Sequence, residues 1–155
     1  MNERETIQKL NTLMHLDREA ARLYTEVIPT IGESDVAMDV QRFRRDHARH
    51  ADECWQAMRD LGSDAQPAIP ELDDFIRMHE DAVANSGYLD TSLMSLFMLE
   101  EAVNFEYAES AQDDYPGNVK ELIQQHLAED KQHLQTVRDD LVAASDVATS
   151  VRFGV

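Results

Sequence analysis

Residues 44–54 read RRDHARHADEC, and the spacing of the two histidines decides how the chain folds. His47 and His50 continue a stripe of Val36, Val40, Phe43, His47, His50, Cys54, Ala57 and Leu61, in alternating steps of three and four. Such steps keep one face of a helix turned toward neighbouring helices. The histidines therefore belong to an apolar seam rather than to a charged surface. Three other tracts carry the same pattern. One reads Leu10, Leu13, Asp17, Ala20, Tyr24, Val27; the next Leu93, Leu96, Glu100, Val103, Tyr107; the last Val119, Ile123, His126, Asp130, His133, Val137, Leu141. Every seam is apolar at its ends and ionisable in its middle.

Proline and glycine separate these tracts into helices predicted at about 5–28, 35–61, 91–112 and 117–144. Pro29 and Gly32 stop the first, Ser34 caps the second, Gly62 ends it, and Tyr115-Pro116-Gly117-Asn118 opens the fourth. No tract alternates with period two, so the expected fold class is all-α. The short connections between first and second helices, and between third and fourth, force antiparallel hairpins. The long connection, 62–90, is able to cross a bundle, and PELDDFIRMHEDAV within it reads as a short extra helix with Pro70 in its first turn. Two helical hairpins joined by one long crossover give the connectivity of a ferritin-type four-helix bundle. The expected domain is 1–145, with a small polar tail at 146–155.

At 155 residues and 43% apolar, the chain can bury a real core. Its formal charge of −17, with only three lysines, should repel nucleic acid and anionic membranes and attract cations. An acidic surface also serves solubility, so charge alone does not identify a metal protein. The charged N-terminus MNERETIQKL lacks a signal peptide's apolar stretch, no run is long enough to span a membrane, and Cys54 is the sole cysteine. The expected compartment is the cytoplasm.

Charges buried in a bundle cost several kcal/mol each unless paired or bound to metal. Converging Asp17, His47, His50, Glu100, Asp130 and His133 on one layer therefore points to a metal site. Mixed carboxylate and imidazole ligands suit iron or manganese, and zinc less specifically. A shift of 83 residues carries Asp17 onto Glu100, Tyr24 onto Tyr107, His47 onto Asp130 and His50 onto His133. Only eight positions from Leu10 to Gly62 are identical under this shift, so the repeat lies in where the matches fall. Two similar hairpins would each supply half the site about a pseudo-twofold axis.

At these residues the chain resembles the ferritin-like superfamily, on its rubrerythrin and bacterioferritin side, and especially its small bacterial members. The resemblance covers about residues 7 to 144. It implies one carboxylate on the first and third helices and Glu-x-x-His on the second and fourth. Carried over, Asp17 and Glu100 are the single carboxylates, His50 and His133 the histidines, and Asp130 the fourth-helix carboxylate. Tyr24 and Tyr107 fall where such proteins keep supporting tyrosines. His47 departs from the pattern, standing where the family has glutamate. Asp46 beside it lies off the seam of a straight helix, where an ion pair with Arg42 or Arg49 is expected; a π-bulge would bring it inward. Three carboxylates against two divalent ions leave one positive charge, which invites an added anion. The pattern also suits one metal or none.

The resemblance implies a dinuclear iron centre, with O2 or peroxide as co-substrate, in an oxidase, peroxidase or ferroxidase. The alternatives are an iron store or carrier without turnover, and a metal-free helical adaptor with a remnant site. No paired CxxC motif accompanies the bundle, so electrons would come from a separate donor, and a homodimer or small homo-oligomer is expected. His126 reads as a buried, hydrogen-bonded imidazole or an outer ligand. Cys54 reads as a small core residue or a soft ligand. Met14, Met58, Met94 and Met98 read as packing, and His15 and His79 as surface residues.

Overall fold

The computed structural model describes residues 1–32, 34–63, 69–86 and 88–154, with the backbone alone over 148–153. Among the described residues the chain is all-helical: α1 (Glu3–Ile31), α2 (Asp35–Asp60), α3 (Pro70–Ser86), α4 (Leu89–Ser110) and α5 (Val119–Phe153). No strand occurs among them. None of these helices is long and apolar enough to cross a membrane.

The helix starts follow local chemistry. Asn2 and Glu5 form a reciprocal capping box, each side chain accepting from the other's backbone N–H at 2.9 and 3.0 Å. The Ser34 hydroxyl accepts from the Ala37 N–H at 3.3 Å to open α2. Several boundaries differ from those read in the sequence. α1 continues through Pro29, because a proline in the last turn removes only one hydrogen bond; Gly32, at φ +74°, ends it instead. α4 begins at Leu89, two residues early. α5 runs on to Phe153, since neither glycine nor proline interrupts it between Gly117 and Gly154. Of the 62–90 connection, residues 64–68 and 87 lie outside the described residues.

The most extensive packing joins α1 to α2, followed by α4 to α5; α1 also meets α3 and α4, and α2 meets α5 along a narrow line. The seams close on one another: Leu10, Leu13, Val40, Phe43, Leu96, Val103, Ile123 and Val137 are all essentially buried. Each such side chain contributes about 1.5–3 kcal/mol by leaving water. Arg22 fastens α3 to α1 through Glu80 at 2.7 Å and Asp73 at 3.3 Å. Asn104 donates to the backbone carbonyls of Glu100 and Asp130, both at 2.9 Å, and so locks α4 to α5 at the level of the polar residues. Met14 and Met58 pack in the core, whereas Met94 and Met98 are exposed. His79 is buried against Phe75, not on the surface, because α3 turns that face toward the core.

Candidate metal centre

The four seams deliver Asp17, His47, His50, Glu100, Asp130 and His133 to one layer, each no more than 2% exposed. α1 and α4 contribute one carboxylate each. α2 and α5 contribute a pair three residues apart, which a helix places on one face a turn apart. The six fall into two groups that share His47 and Asp130. Asp17, His47, His50 and Asp130 form one, and His47, Glu100, Asp130 and His133 the other, with ligand atoms within 4.8 Å of one another in each. These buried groups can hold a metal ion.

His47 sits between the halves. Its Nδ1 is 2.8 Å from Asp17 Oδ1 and its Nε2 is 3.0 Å from Glu100 Oε1. Carboxylate oxygens only accept, so both ring nitrogens donate and His47 is an imidazolium. Burial opposes that charge, but Glu100, Asp17 and Asp130 outweigh it and raise the group well above the ordinary 6.5. Burial likewise pushes against ionised Asp17, and the hydrogen bond from His47, with His50 nearby, holds it below the usual carboxylate range. Asp130 is raised well above that range by burial, with Asp17 and Glu100 adding to the effect.

The remaining contacts repeat across the pseudo-twofold axis. Tyr24 donates to Glu100 Oε1 and Tyr107 to Asp17 Oδ2, both at 2.5 Å. Burial, and the carboxylate each faces, push both phenols well above 10. His50 Nε2 donates to Glu129 Oε2 at 2.9 Å, and His133 Nε2 donates to Asp46 Oδ2 at 3.0 Å. The two imidazoles lie nearly parallel, 13° apart, with centroids separated by 6.5 Å. Their inner Nδ1 atoms flank Asp130 Oδ1 at 3.5 and 3.6 Å, beyond hydrogen-bond distance.

The inner atoms carry the chemistry. His50 Nδ1, His133 Nδ1, Glu100 Oε2 and both Asp130 oxygens are buried and meet no hydrogen-bond partner among the described residues. A histidine that donates from its outer nitrogen to a carboxylate, and presents a bare inner nitrogen, is arranged as metal-ligating histidines are. Burial pushes His133 down to about 4, which keeps that lone pair available. Burial opposes a charge on His50, but the Asp17 carboxylate, 3.7 Å from its Nδ1, outweighs it and raises the group.

Asp46 is more than the surface partner expected of it. It does pair with Arg49, at 3.5 Å, while Arg42 turns to Asp39. Its other oxygen takes the hydrogen bond from His133, and α2 stays regular, so no π-bulge is needed. Glu129 was not singled out in the sequence. The 83-residue shift that maps Asp46 onto it was the available signal. Arg49 pairs with Asp46, Glu129 and Glu53 together, joining the three carboxylates that receive buried histidines. A recess of about 250 Å³ between α2 and α5, lined by Arg42, Phe43, Asp46, Arg49, Glu129 and Gln132, reaches His133 from the surface. No family model, curated protein or solved structure matches the chain.

Proposed function

We propose that the protein is a ferritin-like four-helix bundle, with α3 in its crossover, that binds two iron or manganese ions between its hairpins for redox chemistry with O2 or peroxide. The observation that supports this best is the set of inward polar atoms on His50, His133, Glu100 and Asp130, which have no hydrogen-bond partner among the described residues. Left bare, each buried polar group costs about 1–3 kcal/mol, so a fold that gathers them is compensated by a cation. The two donor groups fit two ions, and their oxygen and imidazole atoms fit iron or manganese. Such ions, when bound, supply the electrons that reduce O2 or peroxide.

The chain's own residues prepare that site. Glu129 and Asp46 fix the orientation of His50 and His133. Tyr24 and Tyr107 hold Glu100 and Asp17 by short hydrogen bonds. His47 keeps those two carboxylates together, and its protons must leave before its nitrogens can bind metal. The recess beside His133 admits a small co-substrate. Electrons come from a separate donor, and the working unit is a homodimer or small homo-oligomer.

One observation favours a second reading. Because the His47 imidazolium already joins Asp17 and Glu100, part of the layer is neutralised without metal. In that reading the bundle is a metal-free adaptor. Anaerobic Fe²⁺ titration separates the two, followed by O2 with absorption recorded in the near ultraviolet. Two equivalents bound, and lost together in His50→Ala and His133→Ala, support the dinuclear centre. No binding at micromolar iron by the folded protein leaves the adaptor. Repeated turnover of Fe²⁺ or peroxide distinguishes an oxidase, peroxidase or ferroxidase from an iron store or carrier.

A further inference from the structure

We propose a third cation site, of the zinc class, beside the core layer, built from Asp17 Oδ2, Cys54 Sγ, His126 Nδ1 and the Tyr107 hydroxyl oxygen. The Asp17, Cys54 and His126 donor atoms lie within 4.8 Å of one another, and all four side chains are fully buried. The Tyr107 oxygen stands among them, 2.5 Å from Asp17 Oδ2, 3.1 Å from His126 Nδ1 and 3.9 Å from Cys54 Sγ.

Hydrogen-bond accounting leaves this cluster one proton short. His126 Nε2 lies 2.7 Å from Glu53 Oε2, an oxygen that only accepts, so the imidazole hydrogen is on Nε2. A neutral ring then presents a lone pair from Nδ1. Tyr107 has one proton for two acceptors, Asp17 Oδ2 and His126 Nδ1. Whichever takes it, the other faces an oxygen lone pair. A cation satisfies all the lone pairs at once.

The internal repeat gives an independent argument. His126 stacks on His50 with centroids 4.0 Å apart, and in the other hairpin Phe43 stacks on His133 at 4.1 Å. The shift of 83 carries Phe43 onto His126 and Cys54 onto Val137. The corresponding corner is thus filled by hydrocarbon, so packing there does not require a polar group. On this side alone an imidazole and a thiol replace it, both facing the tyrosine. His126 also repeats the arrangement of the core histidines, with a carboxylate on its outer nitrogen and the inner one turned to the cluster.

Thiolate, imidazole and carboxylate are the ligands of tetrahedral zinc. Binding exchanges the Cys54 thiol proton for the cation; the proton leaves to water and no electron moves. Asp17 and the thiolate supply two negative charges. Because Asp17 also faces the core layer, the third ion fills last.

The test is anaerobic titration of the metal-stripped full chain with Co²⁺ alone, following thiolate-to-cobalt charge transfer in the near ultraviolet. The expected result is a band that appears after the core ions have bound and saturates over one further equivalent. Cys54→Val and His126→Phe, which copy the other hairpin, should lose that band and that equivalent while keeping the core ions. His50→Ala with His133→Ala should lose the core ions and keep the band. No thiolate band in the native protein at saturating Co²⁺ overturns the proposal, whatever the variants do. A full band persisting in His126→Phe also overturns it. A band without core binding sinks the dinuclear reading and leaves this site standing; core binding without a band does the reverse.

Discussion

Asp46 and Glu129, 83 residues apart, occupy equivalent places in the two hairpins, and each accepts a hydrogen bond from a histidine on the opposite helix. The histidines are thereby held from outside with their inner nitrogens free. Removing an outer carboxylate should leave the fold intact and the ligands loose. Asp46→Ala or Glu129→Ala is expected to weaken metal binding by about 10–100-fold each. Competition with a chelator of known affinity measures this, and an unchanged affinity in both variants would remove the assigned role.

Arg49 pairs with Asp46, Glu53 and Glu129, and so acts on both hairpins at once. It is more than a third exposed, so salt screens its effect. Arg49→Met should cost little stability, about 1 kcal/mol or less. It should nevertheless broaden His50 and His133 ring resonances together in NMR spectra. Broadening of one ring alone would contradict a shared support.

His47→Glu puts a carboxylate where the proposed ferritin-like pattern has one. In the metal-free protein it removes an imidazolium from between Asp17 and Glu100 and adds a fourth acid to the layer, beside Asp17, Glu100 and Asp130. Breaking a buried ion pair from one side costs on the order of 3–5 kcal/mol. The metal-free variant should therefore unfold at markedly lower denaturant, while its metal-bound form recovers because four carboxylates balance two divalent ions. Denaturant titration with and without Mn²⁺ checks the reversal. Equal destabilisation in both states would mean that the layer does not receive ions.

Stability and metal binding should depend oppositely on pH at the alkaline end. The His47 group is raised in the folded state, so its contribution is full below 6.5 and is lost as pH rises through the folded value. Asp17 is lowered, so its contribution holds above the ordinary carboxylate range and is lost as pH falls through the folded value. His126 and His133, each pushed to about 4, favour unfolding as pH falls from 6.5 toward 4. The metal-free protein should thus be most stable near neutrality. Metal binding displaces protons from His47 and should tighten roughly tenfold per pH unit for each proton released, until His47 titrates. Isothermal titrations at several pH values in buffers of different ionisation enthalpy would count those protons.

The seams were legible because burial imposes a helical period on the sequence, and all six core ionisable groups lie where that period puts them. Helix ends were less legible. Pro29 reads as a stop, but a proline so near the end of a helix costs one hydrogen bond, which packing absorbs. Asp46 and Glu129 escaped because each sits one residue off its seam, where a period argument sees a surface charge. Their role depends on the distance between α2 and α5, which no local pattern encodes. Met94 and Met98 were misplaced for the converse reason: apolar composition in α4 continues around to its outer face, and composition does not choose between faces.

Tyr24 and Tyr107 are equivalent in the repeat but not in what they leave behind when removed. Glu100 Oε1 receives both Tyr24 and His47, so Tyr24→Phe leaves that oxygen with a donor. Asp17 divides its partners: Oδ1 has His47, and Oδ2 has Tyr107. Tyr107→Phe therefore leaves a buried carboxylate oxygen bare. A hydrogen bond to a charged group is worth about 1.5–3 kcal/mol, and stranding its acceptor adds to the loss. In the metal-free protein Tyr107→Phe should be the more destabilising of the two, by about 1 kcal/mol or more. The gap should narrow when metal is added, because a cation takes over the stranded oxygen. Denaturant midpoints of both variants with and without Zn²⁺ give the comparison; equal midpoints without metal would show that the two carboxylates are held alike.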